Sequence, residues 1–144
     1  MVYLLWYRGE SGFQGVHAWI DKLCNTYGFS PIVIDKERGD KKGTKNGFTY
    51  SSINYVLKNP KFKNHKWIWM DSKGDKFLDE YEHPKDKAIY CVGSDFDGFE
   101  GKDIKKLKGD KIKIRQDEPD DWFAAMVVPL LVYDRYLYLK GRRK

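Results

Sequence analysis

The stretch richest in potential chemistry is Gly93-Ser94-Asp95-Phe96-Asp97-Gly98, a serine and two aspartates held between glycines directly after an apolar run, Ala88 to Val92. Glycine lets a backbone turn tightly and lets a ligand approach main-chain N–H and C=O groups that a Cβ would shield. In open α/β folds small ligands sit beyond the carboxyl ends of the strands. A glycine-flanked acidic loop following a strand is therefore a candidate ligand site by its place in the chain as well as by its residues. Asp95 and Asp97 look like the opening of a calcium loop, but the other oxygen ligands and the closing glutamate are missing at the required spacing, and no metal is expected. The alternative for Asp95 is a carboxylate that accepts backbone N–H bonds to fix its turn. His17, His65, His83, Cys24 and Cys91 share no metal-ligand spacing. The cysteines lie in apolar stretches and read as buried thiols in a reducing compartment, and His17, beside a loop, reads as structural.

The elements that must position this loop follow from hydrophobic periodicity. Val2 to Tyr7 is a continuous apolar run, as expected of a strand buried on both faces of a parallel sheet. A loop from Arg8 to Gly15 follows. Val16, Trp19, Ile20, Leu23 and Tyr27 then keep the spacing of an amphipathic helix that Gly28 is placed to end. Phe29 to Ile34 predicts a second strand, and the basic, glycine-containing segment Asp35 to Asn46 predicts a mobile loop. Thr49 or Ser51 is placed to cap a short helix over Ile53 to Leu57, stopped near Asn59-Pro60. Lys66 to Met70, Ala88 to Val92 and Lys111 to Ile114 predict three further strands, with short helices around Asp75 to Glu82 and Lys102 to Leu107. A final helix, capped by Asp120 or Asp121, runs to about Leu139. The alternation predicts an α/β domain over residues 1–144 with a mostly parallel sheet and helices on both faces.

Of 144 residues, 27 are Lys or Arg and 21 Asp or Glu, a net charge of +6 that makes an anionic partner worth weighing against a solvated charged face. The basic runs Lys36 to Lys45, Lys58 to Lys66 and Lys102 to Lys113 interleave with Phe48, Tyr50, Tyr55 and Phe62, a mixture suited to phosphate contact with base stacking. The first residues are too short and lack the basic start of a secretory signal. The apolar run Trp122 to Tyr133 is broken by Pro129 and falls short of the ~20 residues that span a bilayer, so a cytoplasmic protein without membrane contact is expected.

Three segments carry a family resemblance. Ala18-Trp-Ile-Asp-Lys22-Leu-Cys-Asn-Thr-Tyr-Gly28-Phe is similar to a helix motif in which Lys22 stands where an arginine is usual. Val92-Gly-Ser-Asp95-Phe-Asp-Gly98-Phe is similar to Gly-x-Glu-x-x-Gly-Leu, and Ile112-Lys-Ile-Arg followed by Trp122 to Tyr136 is similar to a strand feeding a closing helix. In order and spacing they resemble the SPOUT superfamily of S-adenosylmethionine (AdoMet)-dependent RNA methyltransferases, in the SpoU/TrmH-type branch that methylates ribose 2′-hydroxyls. The resemblance implies an α/β knot with a C-terminal trefoil, AdoMet as cofactor, tRNA or rRNA as substrate, and a homodimer formed through the C-terminal helix. It implies cofactor contacts from Ser72, Gly74, Val92, Gly93, Asp95, Gly98, Ile114 and Phe123, catalysis by Lys22 and Asp95, and RNA contacts from Arg8, Gln14 and Lys22. The family's Ser-x-Asn-x-Ser at the start of the closing helix is replaced by Asp121-Trp-Phe-Ala-Ala125. That departure keeps open an RNA-binding protein or partner subunit without activity. An unknotted flavodoxin-like nucleotide or protein binder is a third alternative, and for Lys22 the alternative is an exposed helix lysine paired with an acid such as Asp21.

Overall fold

Every residue of the first strand, β1 (Val2–Tyr7), is buried. Side chains alternate across a strand, so Val2, Leu4 and Trp6 enter one apolar cluster while Tyr3, Leu5 and Tyr7 enter another on the opposite face. A strand with both faces covered must lie inside a layered α/β fold, and it does. In the computed structural model, which describes residues 1–8, 16–43, 48–117 and 124–143, seven strands form one sheet in the order β3-β2-β1-β6-β4-β7-β5. All pairings between them are parallel. The strands are β1, β2 (Ser30–Ile34), β3 (Thr49–Tyr50), β4 (Lys66–Met70), β5 (Lys76–Phe77), β6 (Ala88–Cys91) and β7 (Asp110–Lys113), and the helices are α1 (Val16–Tyr27), α2 (Ile53–Leu57) and α3 (Ala124–Leu139).

Helices α1 and α3 share one face of the sheet. Ile20 and Cys24 of α1 meet Val127, Val128, Leu131 and Val132 of α3 in the cluster that contains Leu4, Trp6, Ile68 and Tyr90. Burying each such aliphatic side chain is worth about 1.5–3 kcal/mol. Trp19 was expected on this stripe but is 57% exposed; it lies about 100° around the helix from Ile20, at the stripe's edge. The other face is covered by α2 and by short 3-10 turns at Pro60–Phe62 and Ile104–Lys106, which bring Ile53, Val56, Phe62, Ile104 and Leu107 over Trp67, Trp69 and Ile89.

Several sequence-derived boundaries shift. Strands β3 and β5 are two residues long, too short to leave a periodic signal, and were not anticipated. Thr49 belongs to β3 rather than capping α2; the cap is Ser52, whose Oγ accepts from Asn54 N–H. The helix expected over 75–82 is β5 followed by a 3-10 turn at Leu78–Glu80, and only a 3-10 turn lies within 102–107. The part of the expected mobile loop that is described, 35–43, is pinned. Asp35 Oδ1 accepts from Glu37 and Arg38 N–H, and Ser51 N–H donates to the Asp40 carbonyl. Gly39 packs so tightly that a Cβ there would lie 2.2 Å from the Tyr50 backbone. Gly28 ends α1 with φ +77°, as its position predicted. Asp120 and Asp121, the expected caps of α3, lie outside the described residues.

The first residue of β7 ties the sheet's edge together. Asp110 accepts from Tyr81 OH at 2.6 Å and from Lys76 Nζ at 3.0 Å, and pairs with Lys66 Nζ at 3.1 Å. Burial pushes this carboxyl's pKa up, but the Tyr81, Lys76 and Lys66 donors outweigh it and hold the value at about 2. Because the folded pKa lies below the unfolded one, the stabilisation is present above about pH 4 and is lost as pH falls toward the folded value. Asp110→Asn is expected to cost on the order of 1 kcal/mol at neutral pH, a figure reduced for the half-exposed lysines. The variant should also flatten the acid limb of a urea-unfolding series. An acid limb matching the unsubstituted protein would refute this role.

Candidate active site

A cleft of about 430 Å³ opens at the carboxyl ends of β6, β4 and β7, three strands adjacent in the sheet. The volume is that of a small-ligand site, which spans roughly 300–1,000 Å³. Three segments line it: Met70 at the end of β4 with Asp71 and Ser72 after it, Val92 to Phe99 after β6, and Ile112 to Ile114 with Gln116 at the end of β7. Val127 of α3, Lys102 and Ile104 complete the wall.

The β6 loop is closed on itself. Ser94 N–H donates to the Gly98 carbonyl at 2.7 Å, Gly98 N–H returns to the Ser94 carbonyl at 3.2 Å, and Ser94 Oγ accepts from Phe96 N–H. Gly98 takes φ +60°, a left-handed conformation that favours glycine. A Cβ on Gly93 would sit 3.1 Å from the Gly98 backbone. Asp95 leaves its own loop: its Oδ1 accepts from Ala124 N–H at 2.8 Å, satisfying one of the free donors at the start of α3 and placing a negative charge at the positive end of that helix. The loop and the helix that walls the cleft are thereby one unit. Asp71 Oδ1 accepts from Lys73 N–H, and Gly74 N–H donates to the Asp71 carbonyl, closing the β4 turn.

Glu100, not singled out in the sequence, locks the loop to the far face. Its carboxylate accepts from Ser52 Oγ at 2.6 Å, Ile53 N–H at 2.8 Å and Tyr7 OH at 2.8 Å, with its backbone at φ +60°. A non-glycine residue in that region costs of order 1–3 kcal/mol, which these bonds offset. Burial pushes its pKa up, yet the Ser52, Ile53 and Tyr7 donors, helped by Lys102, leave the value lowered. No local sequence pattern reveals Glu100, because its partners lie 47 to 93 residues away.

Of the residues singled out, Ser72, Val92, Gly93, Asp95, Gly98 and Ile114 line the cleft together. Gly74 does not line it. A Cβ there would lie 2.7 Å from the Lys111 carbonyl, so this glycine allows the β4 turn to pack on β7. Arg8 follows β1 at the same edge of the sheet, with Nη2 4.0 Å from Asp21 Oδ2; Asp21 faces Arg8, not Lys22. Lys22 is exposed on α1 and does not line the cleft. Gln14 and Phe123 lie outside the described residues. Phe96 and Gln116 line the cleft from loops the sequence had marked, whereas Lys102 and Lys113 line it without having been anticipated; Lys113 ends β7, a position that could have pointed to it. Cys24 and Cys91 are buried, and burial pushes the Cys24 thiol up to about 12 and the Cys91 thiol well above its ordinary value, against any nucleophilic part for either. Among the described residues, no group of three His, Cys, Asp or Glu is placed to hold a metal ion, and no helix is long and apolar enough to cross a membrane.

No protein-family profile and no curated protein matches the sequence. Solved structures do. A structure described for 2′-OH methylation of C/U34 on tRNA matches with a TM-score of 0.75 and 15% identity over 99% of this chain and 98% of that one. The A. aeolicus TrmH/SpoU tRNA modifying enzyme matches with a TM-score of 0.68 and 13% identity over 99% and 78%. The SpoU methyltransferase AviRb from Streptomyces viridochromogenes matches with a TM-score of 0.69 and 15% identity over 100% and 62%, and has also been crystallised with AdoMet. The chain therefore has the α/β fold of the SpoU/TrmH RNA methyltransferases.

Proposed function

We propose that this chain is an AdoMet-dependent RNA methyltransferase acting on a ribose 2′-hydroxyl of tRNA or rRNA, as a single-domain, knotted, cytoplasmic homodimer. The observation that carries the reading is the cleft itself. Its apolar walls, Val92, Ile112, Ile114 and Val127, are interrupted by the tight backbone turns after β4 and β6. Such a site suits a ligand with a flat apolar base and a polar edge read by main-chain groups. AdoMet, when bound, supplies an activated methyl group.

The chain's own residues have separable parts in this reading. Gly93 and Gly98 let the backbone approach the cofactor, and Asp95 is a positioning residue that holds α3 against the loop. Ser72 and Ile114 bound the cofactor from the neighbouring strands, with Phe123 assigned by resemblance, while Gly74 acts only by letting the β4 turn pack on β7. Arg8 and Lys22 face RNA, with Gln14 assigned by resemblance, and Lys22 offers its ammonium to a phosphate as a point charge. The dimer surface is the outer face of α3, where Met126 (47%), Leu130 (42%) and Tyr133 (50%) remain exposed on a helix apolar nearly all round. Helices of that kind are normally covered.

Calorimetry with AdoMet tests the cofactor, and the expected result is a single saturable site. No binding at millimolar ligand would leave the alternative favoured by the Asp121-to-Ala125 departure, an RNA-binding protein without activity. Lys22→Ala is expected to lower tritium transfer to bulk RNA by roughly ten-fold, the loss of one charge-assisted phosphate contact, with AdoMet affinity unchanged; undiminished transfer would remove Lys22 from the RNA contacts.

A further inference from the structure

The β6 loop carries two phenylalanines three residues apart with opposite fates. Phe99 is buried, edge-on to Trp69 at 5.0 Å and to Tyr7 at 6.2 Å, and anchors the loop from beneath. Phe96 is 69% exposed and lines the cleft. It is not exposed because its turn is loose: the Ser94–Gly98 pair of hydrogen bonds and Ser94 Oγ on Phe96 N–H fix the backbone beneath it. A large aromatic held out on a fixed turn costs apolar hydration that a stacked partner would recover.

Its surroundings indicate that partner. Lys102 lines the same cleft, and Lys113 lines it from β7 with Nζ over the Phe77 ring; of the three acids in the lining, Asp71 and Asp95 direct oxygens to backbone N–H groups and Asp97 follows Phe96 in the turn. Lys105 and Lys106 extend the positive charge along the adjoining 3-10 turn. A ring face beside cations that track a backbone is the arrangement by which proteins hold unpaired nucleotides, since every base has a π-face and every nucleotide a phosphate.

We propose that Phe96 is the stacking platform for an unpaired base of the RNA presented to the cleft, with Lys102 receiving an adjacent phosphate. The platform makes single-stranded or looped RNA, rather than continuous duplex, the substrate class. The proposal rests on the RNA-directed reading above and deepens it.

The test measures two affinities on the full-length protein. Fluorescence anisotropy follows binding of a mixed-sequence single-stranded oligoribonucleotide and of the duplex of the same sequence, and calorimetry follows AdoMet. Phe96→Ala is expected to weaken the single strand roughly ten-fold, far more than it changes duplex or AdoMet affinity. Phe96→Trp should restore or tighten single-strand binding. A 2-aminopurine in the strand should lose its stacking-dependent emission change in Phe96→Ala and regain it in Phe96→Trp. Unchanged single-strand affinity in Phe96→Ala overturns the proposal, as does a selective loss of AdoMet affinity, which would assign the ring to the cofactor. Failure of the unsubstituted protein to bind the single strand also overturns it. If that protein binds the strand through Phe96 but does not bind AdoMet, the methyltransferase reading fails and the platform stands.

Discussion

Gly93→Val should weaken AdoMet binding by about a hundred-fold, close to 3 kcal/mol, with the far-UV spectrum unchanged. The size of the effect follows from the loop's closure. A single Cβ at residue 93 already stands 3.1 Å from the carbonyl carbon and oxygen of Gly98, and the two further methyl groups of valine have only the Ser94–Gly98 pair or the cleft to enter. In the second case the methyl groups fill space the cofactor needs, and in the first the turn opens. Asp95 is carried with it and draws away from Ala124 N–H, so the wall formed by α3 shifts as well. Titration calorimetry of the variant beside the parent protein is the measurement, and equal affinities would mean that the cofactor does not approach this turn.

Asp134→Ala should be the most damaging polar substitution, destabilising the fold by about 3 kcal/mol and lowering Tm by roughly 6–12 °C. Asp134 Oδ2 lies 2.7 Å from His83 Nε2 and 3.1 Å from Arg143 Nη2, and His83 Nδ1 lies 2.8 Å from Tyr90 OH. With the carboxylate ionised, Nε2 carries the proton and Nδ1 accepts from the tyrosine. The chain of bonds joins β6, the segment before it, α3 and the C-terminal residues, since Arg143 also donates to the Leu78 and Tyr81 carbonyls. Removing the aspartate leaves a buried imidazole N–H without its acceptor and a mostly buried guanidinium without its carboxylate counter-charge.

The same network sets a pH dependence. Burial lowers the His83 pKa; the Asp134 hydrogen bond opposes this, and Arg143 and Arg135 reinforce it. Tyr81, Tyr90 and Tyr138 complete its surroundings. The folded protein refuses a proton that the unfolded chain accepts near its ordinary value, so this contribution is complete above about pH 6.5 and declines below it. Stability measured by denaturant between about pH 8 and 5.5 should fall, and His83→Gln should flatten that decline. A decline of equal slope in both proteins would place its origin elsewhere.

The sequence by itself determined the layer architecture, because β1 is apolar at every position and a strand that buries both faces requires cover on both. It also determined the tight loop beside the cleft, because Gly93 to Gly98 follows a strand and needs conformations and approaches that glycine permits. Helix α1 was legible from the spacing of Ile20, Leu23 and Tyr27 and from Gly28. Strands β3 and β5 were not, since two residues hold no period and their pairing is supplied wholly by neighbours. Only the tertiary structure decided that β6, β4 and β7 stand side by side, bringing loops from residues 71, 93 and 114 around one cleft. It gave Asp95 its partner on α3, Glu100 its three donors and His83 its link to Asp134, all contacts between residues at least 29 positions apart. Local patterns record which face a side chain must bury; they hold no record of the distant group that will meet a buried charge, because that meeting is settled by the order of strands in the sheet.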